Sequence, residues 1–342
     1  MQLHACVLCC AFQNKNVLFI PFEAQHSDRV GLIYESVTQA GAALKSLLNL
    51  LQSMRAFSIK EIEVFTGIQA HTLRAWEHRF QLLKPCRSKG NYRNYDLEQV
   101  RRLLNIALLT KHGYRISGVA GLCQQQLDQA IKSLLMNEGP AKSKAIHDLI
   151  YFMFAENTDE FEYVLDCCIH AWGIEFTVDQ IILPFLEKVN LVSYYSTGSE
   201  VHFVVPLIRR KIILAMETVR VVREEQKKAL LFLPEKEHFD LLLLYLAYKL
   251  KSLGFRVLYL GTNISLSNLD KVVSEKQPDF LVTYLPPKCK IDLEEYLQAL
   301  RDFACRLKVF LVKPEDTAAG AEYCNIECIH YKEINKIASR IA

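Results

Sequence analysis

No run of apolar residues in this 342-residue chain reaches the roughly 18 to 20 that a helix needs to cross a bilayer, so a membrane partner is not expected. The phosphate-cradling and nucleophile signatures are missing too. There is no G-x-G-x-x-G, no G-x-x-x-x-G-K and no strand-to-helix nucleophile elbow, which removes dinucleotide, nucleoside triphosphate and hydrolase chemistry. A disulfide framework is absent: the 11 cysteines lie singly or as neighbours (Cys9-Cys10, Cys167-Cys168), a usage that fits a reducing cytoplasm. The opening MQLHACVLCCAF is apolar but has neither a basic n-region nor an A-x-A site, so it does not read as a secretory signal. Excess charge is lacking as well, at +3 for the whole chain. What is present is ample core material, 51% hydrophobic against 23% charged, enough for two or three domains.

The basic charge is concentrated in one stretch. Between Phe57 and Tyr95 there are seven Lys or Arg against three Glu, a local balance of +4, so the remaining residues are close to neutral. Ser58 with Glu61 has the capping-box spacing and starts a helix that Gly67 ends. A second short helix follows over Gln69 to Phe80, with Leu73 and Trp76 on one face and Thr72, Arg74 and Arg79 pointing elsewhere. Two short helices about a glycine turn form a helix-turn-helix. Pro85 stops the second helix, and Arg87 to Tyr95 mixes basic and aromatic residues around Gly90-Asn91, which suits a two-stranded wing. Cations gathered on a helix and a wing are the footprint of a phosphate-binding surface.

These motifs, His71-Thr72-Leu73-Arg74-Ala75-Trp76-Glu77-His78-Arg79-Phe80, Leu83 to Arg87 and Gly90 to Tyr95, together resemble a MerR-type winged helix. The resemblance implies that Thr72 and Arg74 face the major groove and that Arg87, Arg93 and Tyr95 hold phosphates. The full DNA-binding set is then His71, Thr72, Arg74, Arg79, Arg87, Lys89, Arg93 and Tyr95. Such regulators usually begin near the position of Met54, so residues 1–54 are read as an extension whose first 53 residues are either dispensable or the result of an over-long start assignment. Within it, Cys6-x-x-Cys9-Cys10 reads as thiols in an apolar segment, and 31–53 as an amphipathic helix.

Residues 55–127 complete the head, with Asp96 capping a helix that Gly113 ends. Over 128–226 four amphipathic helices in succession suggest a bundle. Residues 227–342 alternate apolar strands with helices, beginning with Ala229 to Pro234 and a long helix over Glu235 to Leu253, and ending with a strand over Cys328 to Tyr331 and a helix over Glu333 to Ile341. That alternation implies a five-stranded, flavodoxin-like parallel sheet. The fold class is thus multi-domain, α and α/β. Cys324, Cys328 and His330 have a metal-like spacing, but they straddle a predicted buried strand and read as structural.

A helical bundle and such a sheet behind a MerR-like head resemble the cobalamin-binding regulators of that family, some of them light-responsive. Leu183 to Lys188 and His202-Phe203 match the cap that lies over the cobalamin in that family. The family's Trp position falls among Leu191, Val192 and Ser193, and the Glu before its His is Val201 here. The acidic-x-His-x-x-Gly loop after the first strand reads Glu235-Lys236-Glu237-His238-Phe239-Asp240-Leu241-Leu242, with Phe239 at the cobalt-ligand position and Leu242 at the glycine. The candidate cofactor contacts carried over are Glu237, His238, His202, Thr283 and Leu285, with His238 as cobalt ligand.

The leading expectation is a sequence-specific DNA-binding regulator that takes a double-stranded operator as a dimer or higher homo-oligomer. Its C-terminal module is expected to be a degenerate cobalamin site that senses another small molecule or serves assembly. The alternative is a working cobalamin-dependent regulator that uses His238. An enzyme is not expected, because nothing outside the cofactor loop supplies a substrate site.

Overall fold

The computed structural model describes residues 56–87, 91–189, 200–220, 227–284, 293–313, 325–337 and 340. The expectations for residues 1–53, and those for Lys89, Leu285 and Cys324, lie outside them. Contacts divide the chain into two units, Met1–Lys188 and Val189–Ala342.

In the first unit, strand β1 (Phe57–Ser58) runs straight into helix α1 (Ile59–Thr66). The Ser58 hydroxyl accepts from the Glu61 amide at 3.3 Å and the Glu61 carboxylate accepts from the Ser58 amide at 2.7 Å, a reciprocal cap that satisfies two otherwise orphaned donors. Gly67 ends the helix in a left-handed conformation (φ 74°), its N–H donating to the Glu63 carbonyl. Helix α2 (Ala70–Phe80) follows, then β2 (Cys86–Arg87) and β3 (Arg93–Tyr95). The expected two-stranded wing is three-stranded. β1 joins β3 antiparallel, Phe57 opposite Tyr95, in the order β1-β3-β2. Asp96 caps α3 (Leu97–Lys111) by accepting from the Gln99 amide, and α4 (Ile116–Val119) and α5 (Gln124–Leu134) close the head.

Helix α6 (Glu138–Phe154) packs against α3 and α7 (Thr158–Thr177). The Phe154 ring meets Phe57 at 4.9 Å and Phe65 at 5.4 Å, so the helical segment and the head share one apolar core. The Tyr151 hydroxyl donates to Glu98 at 2.8 Å beneath the Arg101 guanidinium, a second tie between α6 and α3. A break at Gly173 and a wide π turn at Val178–Ile182 lead into α8 (Leu183–Lys188).

The second unit opens with α9 (Glu200–Thr218), the fourth expected bundle helix, which packs on α10 (Leu241–Ser252). Strands β4 (Lys228–Pro234), β5 (Arg256–Ile264), β6 (Phe280–Tyr284), β7 (Lys308–Lys313) and β8 (Ile326–His330) form one parallel sheet in the order β5-β4-β6-β7-β8. Helices α11 (Leu266–Lys276) and α12 (Leu293–Ala304) provide crossovers. Leu230, Phe232, Leu281, Val309 and Leu311 are fully buried and form the core beneath α11 and α12. This is the flavodoxin-like order. The chain reverses direction between β4 and β6, and the crevice outside their carboxyl ends is where such sheets take ligands.

Two expectations are corrected here. The helix read over Glu235 to Leu253 begins only at Leu241, because Lys236 (φ 69°) donates its amide to the Asn263 side chain and Glu237 donates to the Pro234 carbonyl, fixing a turn. The stretch read as the start of the final helix is a 3-10 turn over Tyr331–Lys336, with α-helical backbone at Ile337 and Arg340.

Candidate nucleic-acid interface and sheet mouth

The head divides its side chains by helical period. On α2, Leu73 is 1% exposed and faces the core, while His71, Arg74 and His78, three and four residues apart, lie on the outer face with Arg79 beside them. Thr72 is half-buried at the edge of that face. Arg79 sits 5.3 Å from the Phe80 ring, which holds its long side chain against the helix. Arg87 is exposed on β2 and donates to the Asn91 side chain at 2.7 Å across the wing turn.

Arg93 and Tyr95 lie otherwise than as free phosphate ligands. Arg93 Nε donates to Glu77 at 2.8 Å, both side chains half-buried. Tyr95 corrects the phosphate assignment: it is 1% exposed, pointing inward from β3, so its hydroxyl cannot reach a duplex. Burial first, then the charge of Glu77, pushes its pKa up to about 12. Sequence reasoning passed over Glu77, whose signal is nonlocal, and Tyr92, an aromatic 76% exposed beside the wing turn.

At the mouth of the sheet, Glu237 is buried and His238 is exposed. Asp240, absent from the expected set, collects three hydrogen bonds. Arg209 of α9 donates from Nη2 at 2.6 Å and Nε at 3.1 Å to one carboxylate oxygen, and the Tyr259 hydroxyl of β5 donates to the other at 3.1 Å. Burial and the Asp240 charge raise the Tyr259 pKa. Leu242 is 6% exposed in the first turn of α10. Thr283 is fully buried and shares a hydrogen bond with the Tyr296 hydroxyl at 3.3 Å. His202 belongs to α9, its side chain outside the described set. Among the described residues, no three His, Cys, Asp or Glu gather as a metal site, and no helix is long and apolar enough to cross a membrane.

The described residues thus comprise a winged helix-turn-helix head, a helical segment and a flavodoxin-like sheet. Residues 57–126 match the MerR HTH family regulatory proteins. The chain is 26% identical over 256 residues to the HTH-type transcriptional repressor CarH of Myxococcus xanthus, covering 72% of this chain and 85% of that protein. It is 28% identical over 251 residues to the repressor CarA of the same organism, covering 72% and 83%. The Methanosarcina barkeri monomethylamine corrinoid protein superposes with a TM-score of 0.47 at 13% identity, covering 59% of this chain and 100% of that one. Residues 57–126 are thus a MerR-type head, and the longer matches to the two repressors run well beyond it.

Proposed function

We propose that this protein is a sequence-specific, cytoplasmic transcriptional regulator that grips a palindromic operator as a homodimer or higher homo-oligomer. The observation that carries this reading is the exposed face of α2, where Arg74 and Arg79 stand with His71 and His78, lying on the same head as a wing that presents Arg87. Arg74 and Thr72 read base edges in the major groove, while His71, Arg79, Arg87 and Lys89 hold backbone phosphates. Arg93 acts by fixing the wing to α2 through Glu77. One short helix and a wing give few base contacts, and two-fold symmetry doubles them. The relatives named as repressors support repression as the mode of action.

The C-terminal module is read as a sensor that does not take cobalamin. Four features support this. His238 is exposed one position from the expected ligand, Phe239 stands at the ligand position, Leu242 is buried where a glycine would leave room for a nucleotide tail, and Thr283 is engaged by Tyr296. Asp240 further ties α9 to β5 across the mouth, through Arg209 and Tyr259. The module is left to bind a different small molecule or to serve assembly. Selection from random duplex pools should return a palindrome; equal, weak retention of all sequences would overturn the regulator reading. Protein incubated in the dark with adenosylcobalamin should leave gel filtration colourless, and a stable red spectrum would reinstate His238 as cobalt ligand.

A further inference from the structure

We propose that Lys188 is a positioning residue for operator recognition: its ammonium clamps the C-terminal end of α1 and so sets the turn from which the recognition helix α2 departs. This rests on the reading of the head as a sequence-specific DNA-binding module.

The last carbonyls of a helix have no partner within it, and each needs one from outside. In α1 the Glu63 carbonyl is taken by the Gly67 amide, and the next two are taken by Lys188, whose Nζ donates to Val64 O at 3.0 Å and to Phe65 O at 2.8 Å. The Thr66 hydroxyl donates back to Ile62 O and accepts from the Ile68 amide, so the whole exit from α1 is pinned. A cation here also answers the negative end of the helix dipole. Immediately beyond lie Gly67 and Gln69, the residue from which α2 begins. The orientation of α2 against the core is thus fixed from a side chain more than one hundred residues away in sequence.

The clamp holds against opposing forces. Burial, with the charge of Lys111 added, lowers the Lys188 pKa. Lys188 is also one of three lysines whose charges act on the buried His147. An ammonium in such surroundings persists because the two carbonyls compensate it. The Phe154 ring meets Phe65, in the last turn of α1, at 5.4 Å and joins α6 to the same end of that helix. Lys188 is the last residue of the first unit, and Val189 begins the second, so the clamp is the final contact made by the chain before it leaves the unit that contains the head.

The test uses the full chain, the best duplex it recovers from a random pool, and a scrambled duplex. Lys188→Gln should bind the selected duplex about tenfold more weakly, bind the scrambled duplex as the unaltered protein does, and keep the same salt slope, because Lys188 touches no phosphate. Lys188→Arg, which keeps the charge and the donors, should restore most of the lost affinity. Glu187→Gln, at the exposed neighbouring position, should change nothing. Hydrogen exchange at the Gly67 and Ile68 amides should quicken in Lys188→Gln alone. Unchanged affinity in Lys188→Gln, or an equal loss on both duplexes with a shallower slope, would overturn the proposal. If Lys188→Gln does not fold, failure of Lys188→Arg to hold operator affinity would overturn it instead. If the unaltered protein selects no sequence, the DNA-binding reading itself falls, which is distinguishable from loss of the clamp alone.

Discussion

Arg93 Nε donates to Glu77 Oε2 at 2.8 Å, and through this pair the third strand of the wing is joined to the second helix. The wing and α2 are therefore held together as one surface. Glu77→Gln should weaken operator binding several-fold although Glu77 itself carries the wrong charge to touch phosphate. A double-mutant cycle with Arg93→Gln on thermal stability should return a coupling of about 1 kcal/mol, because the pair is only partly buried. Strictly additive effects would contradict the pairing.

Arg74 and Arg87 should differ in kind. Arg74→Ala should relax base preference by about 1 to 3 kcal/mol at one operator position per half-site, seen by selection on the variant. Arg87→Ala should lower affinity for all duplexes alike and reduce the salt slope by about one. A retained slope in Arg87→Ala would remove it from the phosphate set.

The acid limb of stability should depend on His147. Burial, then the charges of Lys188, Lys144 and Lys111, pulls its pKa down to about 3. In the unfolded chain it titrates near about 6.5. Between these values the unfolded state binds a proton that the folded state refuses, so stability is lost as the pH falls from about 6.5 toward about 3. The slope from this group reaches about 1.4 kcal/mol per pH unit. Urea unfolding of His147→Gln at stepped pH should show a flatter limb in that window. An unchanged limb would contradict the burial of a neutral imidazole.

Asp240→Asn should loosen α9 from the sheet. It weakens the pairing with Arg209 and changes the partner of Tyr259, at a cost of about 1 to 2 kcal/mol once the solvent that reaches Arg209 is allowed for. The measurement is unfolding of the full chain together with hydrogen exchange along α9. Unaltered exchange there would show that apolar packing alone seats the helix.

Local chemistry made the head readable. Ser58 with Glu61, Gly67, and the alternation of Leu73 with Arg74 each declare themselves within a few residues, and each sits in the structure as the sequence implies. The parallel, five-stranded sheet followed from apolar runs alternating with helices, for the same reason. What escaped was nonlocal. Phe57 and Ser58 form a strand because Tyr95 and Asn94 lie opposite, and that pairing turns Tyr95 inward. Glu235 to Asp240 has helix-compatible residues, but Asn263 and the Pro234 carbonyl hold it as a turn. The Asp240 cluster draws on three separate elements, so no window of sequence contains it.

The ring of Phe154 covers Phe57 and Phe65 from outside the stretch that carries the family match. A protein trimmed after Gln126 would present both rings to water, and self-adhesion rather than a well-behaved fragment should result. A piece that keeps them sheltered must run past Phe154, and one that runs on through Lys188 keeps the whole first unit, which sets where anyone isolating the head should cut.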